Sequence, residues 1–269
     1  MGTHWSRREF LGAAGAAGLL FATACSSKDA GGSTPKSVTV KHIFGETTLN
    51  SPPKRVVSAG LTEQDDLLAV GVVPIAVTNW FGDQPFGVWP WAQPKLGGAR
   101  PVVLNLDNGI QVDQIAALKP DLIVAVNAGL DADTYQKLTA IAPTIAQSDG
   151  DAFFEPWKDQ ATAVATAVFQ ADRMKQLITD VDNTFADVAK NNSAFKDKKA
   201  VLLAGRFYAG TLTATVGGWR TEFLTEMGFR IPDGMSGFAV DDGRAAIPRD
   251  KLGEALDSAD VLIWSTESD

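Results

Sequence analysis

Ala171-Asp-Arg-Met-Lys-Gln-Leu-Ile-Thr-Asp-Val-Asp-Asn-Thr-Phe-Ala-Asp-Val-Ala-Lys-Asn-Asn192 reads as one long amphipathic helix. Met174, Leu177, Ile178, Val181, Phe185 and Val188 form one apolar stripe, while Lys175, Asp180, Asp182, Asn183, Asp187 and Lys190 fall on the wetter face. Asp172 can cap the start, and Asn191-Asn192-Ser193 ends the pattern. At ~1.5 Å per residue the rod is about 33 Å long, close to the width of a small domain. Periodicity alone leaves a plain core helix open. Strand–helix units of similar design on both sides favour a rigid strut joining two lobes.

Before the helix, Val38 to Leu49 reads as a hairpin turning at Gly45-Glu46, and Arg55 to Ala59 as a buried strand. Thr62 with Asp65 resembles a capping box for a helix through Val70, which Gly71 stops. Val73 to Thr78 is a strand, Gln111 to Leu118 a helix, Asp121 to Val126 a strand, and Ala132 to Ala142 a helix closed by Pro143. After the strut the order returns: strand Ala200 to Ala204, helix Trp219 to Met227, helix Asp250 to Leu256, strand Asp260 to Trp264. Asp113 to Ile123 mirrors Asp250 to Ile263, each a helix opening on an acid and feeding an Asp-led apolar strand. Continuous Val/Leu/Ile runs without alternation imply strands buried on both faces of a parallel sheet. The expected fold is therefore α/β: two three-layer lobes with mainly parallel sheets, joined by one long helix. Between such lobes lies a cleft, a favoured place for ligands.

The expected organisation is a signal over 1–24, a lipidated cysteine and tether over 25–37, a first lobe over 38–150, a helical linker over 151–193 and a second lobe over 194–269. Arg7-Arg8 followed by a small and apolar run to Ala24 describes an export signal of twin-arginine type joined to a lipobox. Its fifteen residues fall short of the ~20 that span a bilayer. Cys25, the only cysteine, stands where a lipid would be attached, and Ser26 to Lys36 is a polar, glycine-rich tether. Removing residues 1–24, which hold two arginines and one glutamate, takes the formal charge from −8 to −9. An acidic exported chain is a poor nucleic-acid binder. The second lobe is shorter than the first and its last strand has no helix after it, so it is expected to be incomplete.

Residues that could run catalysis are scarce. Of two histidines, His4 lies in the signal and His42 in a strand, and no nucleophile elbow, P-loop or metal-spaced histidine pair occurs. Asn79 to Trp91 is more telling: five aromatics among prolines and glycines, too apolar for a free loop. It either folds onto its own lobe or forms a cleft wall for a large, partly apolar ligand, with Trp80, Phe81, Trp89 and Trp91 as the contact faces. Arg100, Arg206 and Arg244 sit near strand ends or aromatics, and the guanidinium fork suits oxygen-rich anions. Arg206 and Tyr208 follow the strand that opens the second lobe.

Pro53-Lys54-Arg55-Val56-Val57, Leu67-Leu68-Ala69-Val70-Gly71-Val72, the block Gly109 to Ile123 with its Leu118-Lys119-Pro120-Asp121-Leu122-Ile123 end, Ile141-Ala142-Pro143-Thr144 and Ile247-Pro248-Arg249-Asp250-Lys251-Leu252 resemble the ferric-siderophore and vitamin B12 binding-protein family. The resemblance implies a receptor of an ABC importer with two lobes on a helical backbone. It implies that Asp113 and Asp250, in place of the family's usual Glu, dock the permease, and that Arg100 and Phe238 line the cleft. An ordinary first-turn acid, favoured by the helix dipole by ~0.3–1 kcal/mol, is the plain alternative for the two aspartates. The expected function is a lipid-anchored, extracytoplasmic, monomeric receptor that captures a ferric siderophore, with no catalytic residues, no cofactor of its own and iron held only by the chelator. The rivals are the same architecture binding haem through a residue such as Tyr208, or a corrinoid, and a lipid-anchored hydrolase.

Overall fold

The computed structural model describes residues 37–148, 153–205, 207–238 and 243–265. The signal, Cys25, the tether up to Lys36 and Arg206 lie outside the described residues.

The chain opens on an antiparallel hairpin of β1 (Val38–His42) and β2 (Gly45–Leu49), with Val38 opposite Leu49 and His42 opposite Gly45. That register puts the turn at Ile43-Phe44, two residues before the expected place. Gly45, at φ 123°, serves as the first paired residue after it. The hairpin anchors through Thr47, whose hydroxyl donates to the Thr144 carbonyl at 2.7 Å. His42 is buried: its Nδ1 accepts from the Phe44 N–H at 3.3 Å, which leaves the proton on Nε2 for Thr47 Oγ1 at 3.0 Å. Burial holds its pKa below the ordinary value.

β3 (Val56–Ser58), α1 (Glu63–Ala69), β4 (Ala76–Thr78), β5 (Val102–Leu104), α2 (Val112–Leu118), β6 (Leu122–Ala125), α3 (Ala132–Thr139), β7 (Thr144–Ala146) and α4 (Trp157–Ala167) build the first lobe. Its five strands run in the order β5-β4-β3-β6-β7, all parallel. Successive strand residues face opposite sides, which explains the unalternating apolar runs. Val56, Leu122 and Val124 pack with Leu67 of α1 and Val164 of α4, whereas Val57, Ile123 and Ala125 pack with Ile115 of α2 and Leu138 of α3. Helices therefore cover both faces, and α4, expected within the linker, belongs to this core.

The strut is α5 (Ala171–Asn191). Its N-cap is Gln170, and Asp172 lies in the first turn instead. The apolar stripe divides in use: Met174, Leu177 and Ile178 pack on the first-lobe core, while Phe185 meets Phe223 of the second lobe at 6.5 Å. Lys158 of α4 secures this joint, with Nζ 2.9 Å from Asp182 of α5 and 2.9 Å from Glu226 in the helix that follows.

The second lobe holds β8 (Ala200–Ala204), β9 (Thr211–Thr215), α6 (Glu222–Glu226), β10 (Arg244–Pro248), α7 (Leu252–Leu256) and β11 (Val261–Ser265). The α/β class holds, but this sheet is mixed rather than mainly parallel. Its order is β10-β9-β8-β11, with β9 antiparallel to both neighbours and β11 parallel to β8. The cause is the turn Tyr208-Ala209-Gly210-Thr211, where Ala209 and Gly210 sit at φ 48° and 81° and reverse the chain within two residues. β9 shows the alternating burial that a strand covered mainly on one face requires. Leu262 and Trp264 share a face with buried Val201 and Leu203, yet remain 45% and 46% exposed. The packing of Leu252, Leu256 and Met235 centres on β8, β9 and β10.

Candidate functional site

In the first sheet the chain leaves β3 for one side and β6 for the other, so the strand order reverses between them. Open α/β sheets bind ligands outside the carboxyl ends of strands at such a point. Here the segments after β3 and β6 are pinned by a buried acid. Glu63 Oε1 accepts the Asn127 N–H at 2.7 Å, and Oε2 accepts the Thr62 N–H at 3.1 Å. A Cβ on Gly60 would lie 2.1 Å from the same carboxylate, so only glycine lets the loop close over it.

Thr62 does not cap α1 with its side chain. Its hydroxyl accepts from Asn127 Nδ2 at 2.9 Å and donates to Gln160 Oε1 at 3.1 Å, while Gln160 Nε2 donates to Asp66 Oδ2 at 2.6 Å. The chain of bonds ties α1, the β6 end and α4 together. Burial is the main force raising Glu63, against backbone N–H bonds that oppose it. Burial also raises Asp66, to about 7; Gln160 opposes the rise, and the nearby Glu63 and Asp65 carboxylates add to it.

Above this base lies a continuous line of rings. Trp91 stacks on Trp89 with centroids 5.1 Å apart and planes 2° from parallel. Trp89 meets Phe81 edge-on at 4.9 Å, Phe81 meets Trp80 at 4.5 Å, Trp80 meets Phe154 at 5.4 Å, and Phe154 meets Phe153 at 6.3 Å. Trp91 Nε1 donates to Asp65 Oδ2 at 2.9 Å, fastening one end of the line to α1. At the other end Phe153 presses on Gly129, where a Cβ would fall 2.2 Å from its ring. Phe154 holds φ 60°, an uncommon conformation for a bulky residue, and its N–H donates to Asn127 Oδ1 at 2.9 Å. Loops after β4, β6 and β7 thus converge on one wall, and it is not folded away: Trp91 is 67% exposed, Trp80 and Phe81 41% each. Exposed, mutually supporting rings on one sheet edge form an apolar patch of the kind that ligand sites use.

The structure brings Trp80, Phe81, Trp89 and Trp91 together, and leaves Arg100 apart from them. Val102 pairs in register with Ala76 and Leu104 with Thr78. Arg100 therefore stands before β5, on the edge where strands start, whereas Trp80 follows the end of β4. Arg244 is likewise on the starting edge of its sheet, as first residue of β10 opposite Thr215. Phe238 is half-buried against the second-lobe core. Tyr208 is 78% exposed on the β8–β9 turn, and beside it Phe207 carries Arg249 over its ring at 5.5 Å.

Asp113 and Asp250 occupy equivalent places. Each opens the helical segment that follows an edge strand, β5 in one sheet and β10 in the other, and both are exposed. Sequence reasoning missed Phe153, Phe154 and the polar network under the wall. Phe153-Phe154-Glu155-Pro156 and the acids Glu63, Asp65 and Asp66 directly after a strand were the available signals.

A periplasmic solute binding protein from Mycobacterium smegmatis strain MC2 155, known as a crystal structure, is 63% identical with a TM-score of 0.80, over 87% of this chain and 79% of that one. The probable siderophore-binding lipoprotein YfiY of Bacillus subtilis strain 168 is 33% identical over 226 residues, 80% of this chain. The chain spans 65% of that relative's length. PiaA of Streptococcus pneumoniae TIGR4, solved with ferrichrome, shares the fold at a TM-score of 0.68 and 23% identity, over 86% of this chain and 79% of that one. The periplasmic binding protein model matches residues 56–269, and the chain belongs to that family.

Proposed function

We propose that this chain is an extracytoplasmic receptor that captures a ferric siderophore and delivers it to the permease of an ABC importer, held at the membrane by a lipid on Cys25. The aromatic wall from Trp91 to Phe153 carries the reading. Bulky ferric chelates present apolar arms and rings beside polar ligand atoms, and indole faces accommodate both. Curated relatives named for siderophores and ferric citrate support the same ligand class. The chelator keeps the iron. Among the described residues no cluster of three or more His, Cys, Asp or Glu is placed to hold a metal ion. Asp113 and Asp250, one per lobe and exposed, serve as the docking acids. No helix of the described residues is long and apolar enough to cross a membrane. Export by the twin-arginine-type signal and a monomeric state complete the reading, and the protein works by binding rather than by turnover.

Titration with ferric siderophores, haem and a corrinoid tests it. Saturable binding of at least one ferric siderophore supports the assignment. Binding of haem alone, with a Soret band that Tyr208→Phe abolishes, or of the corrinoid alone, overturns it.

A further inference from the structure

The charges around the wall narrow the ligand class. In the first lobe the carboxylates gather where the strands end. Asp65 holds the Trp91 indole, and one of its oxygens is buried without a hydrogen-bond partner. Asp83 stands exposed in the aromatic loop itself, two residues after Phe81 and outside any helix whose dipole could offset it. Asp107 and Asp131 follow the ends of β5 and β6. Part of this pattern is ordinary, because helices after parallel strands start on that edge and favour acids; Asp131, for one, caps α3 through the Thr134 N–H. Asp83 takes a left-handed turn position, at φ 45° after Gly82, which suits an aspartate, and it leaves an exposed carboxylate within the aromatic loop.

Most described first-lobe cations are placed elsewhere. Arg55 precedes β3 and turns its guanidinium to the carbonyls of Leu118 and Lys119. Arg100 precedes β5, and Lys158 is committed to Asp182 and Glu226. Lys137 lies beside Asp113 on the α2–α3 face, and Lys41 is opposite Glu46 in the hairpin register. Lys95 follows Trp91 by four residues, beside Leu96, which packs on Leu68 one turn along α1 from Asp65.

A polyanionic chelate seated on this wall would shed water beside Asp65 and Asp83, with Lys95 the one first-lobe cation in the segment that follows the rings. A neutral or cationic chelate would instead gain from ring faces and carboxylates together. On the siderophore reading above, we infer that the wall selects ferric chelates of zero or positive net charge, of trihydroxamate type, over polyanionic catecholate or citrate complexes.

The full chain is titrated by tryptophan emission with three probes: ferrioxamine B (a cationic trihydroxamate), ferrichrome (a neutral one) and a trianionic ferric tricatecholate. The two trihydroxamates should bind at least ~10-fold more tightly than the trianion, and Asp83→Lys should narrow that gap. A trianion that binds as tightly as the trihydroxamates, or a gap that Asp83→Lys leaves unchanged, overturns the charge selection and leaves the siderophore reading standing. Binding of none of these chelates, with haem or a corrinoid bound instead, overturns the siderophore reading and the charge selection with it.

Discussion

Trp91 and Asp65, twenty-six positions apart, are joined by an indole-to-carboxylate hydrogen bond of 2.9 Å. The bond converts a mobile-looking loop rich in proline and glycine into a wall fixed to the first helix of the lobe. Burial raises the Asp65 pKa, and the Trp91 donor opposes the rise. Trp91→Phe keeps the stacking face and removes the donor, so it should lower stability by about 1 kcal/mol in urea unfolding. In an Asp65→Ala background the same change should cost close to nothing. An equal loss in both backgrounds would show that the indole acts through packing alone.

The polar base of the wall should make stability depend on pH. Asp66 has its folded pKa raised to about 7, above the ordinary 3.8. The folded state then binds the proton more tightly than the unfolded chain does. The stability this supplies is complete below the unfolded pKa and is lost as pH rises through about 7. At about 1.4 kcal/mol per pKa unit the loss is on the order of 4 kcal/mol. Asp66→Asn still accepts from Gln160 but cannot ionise. It should match the native chain at acid pH and exceed it increasingly in melting temperature up to pH ~8. A constant difference across that range would contradict the assignment.

The strut was legible because Met174, Leu177, Ile178, Val181, Phe185 and Val188 fall on one stripe whatever they touch. The parallel first sheet was legible because unalternating apolar runs have few other uses. β9 was missed because Thr211-Leu-Thr-Ala-Thr215 has only two apolar positions, and the reversal rests on Ala209 in a conformation that sequence assigns to glycine or asparagine. The site was half legible. Ring density announced the wall, but Phe153 and Phe154 join it through Trp80 from about seventy residues away, which no local pattern reports. Arg100 stands apart from the wall: the resemblance implied a place in the cleft, while the chain has by then returned to the starting edge of the sheet.

The proposed lipid anchor at Cys25 has a direct check. Cys25→Ala should move the mature protein from the membrane to the soluble fraction, since the tether carries no other apolar segment. Unchanged retention on fractionation would mean that something else holds it.

Asp113 and Asp250 separate docking from helix stabilisation. As contact acids, their replacement by Ala should leave ligand affinity within about twofold while siderophore uptake falls, because rim charges act on association and register. As dipole partners only, they should cost up to ~1 kcal/mol of stability and spare uptake. Affinity, melting temperature and uptake measured on the same variants distinguish the two, and normal uptake would remove the docking role.

The ligand is proposed to sit on the aromatic wall. Titration of the full chain with a ferric trihydroxamate, followed by tryptophan emission, tests it most directly when Trp80, Trp89 and Trp91 are replaced together and Trp157, at the start of α4, is replaced as the control. Trp→Phe versions guard against loss of folding, which circular dichroism checks. Saturable quenching is expected in the native chain, with a loss of affinity of at least ~10-fold in the triple variant and a change within about twofold for Trp157. Equal effects from the two sets, in proteins that remain folded, would contradict it and leave the wall as packing.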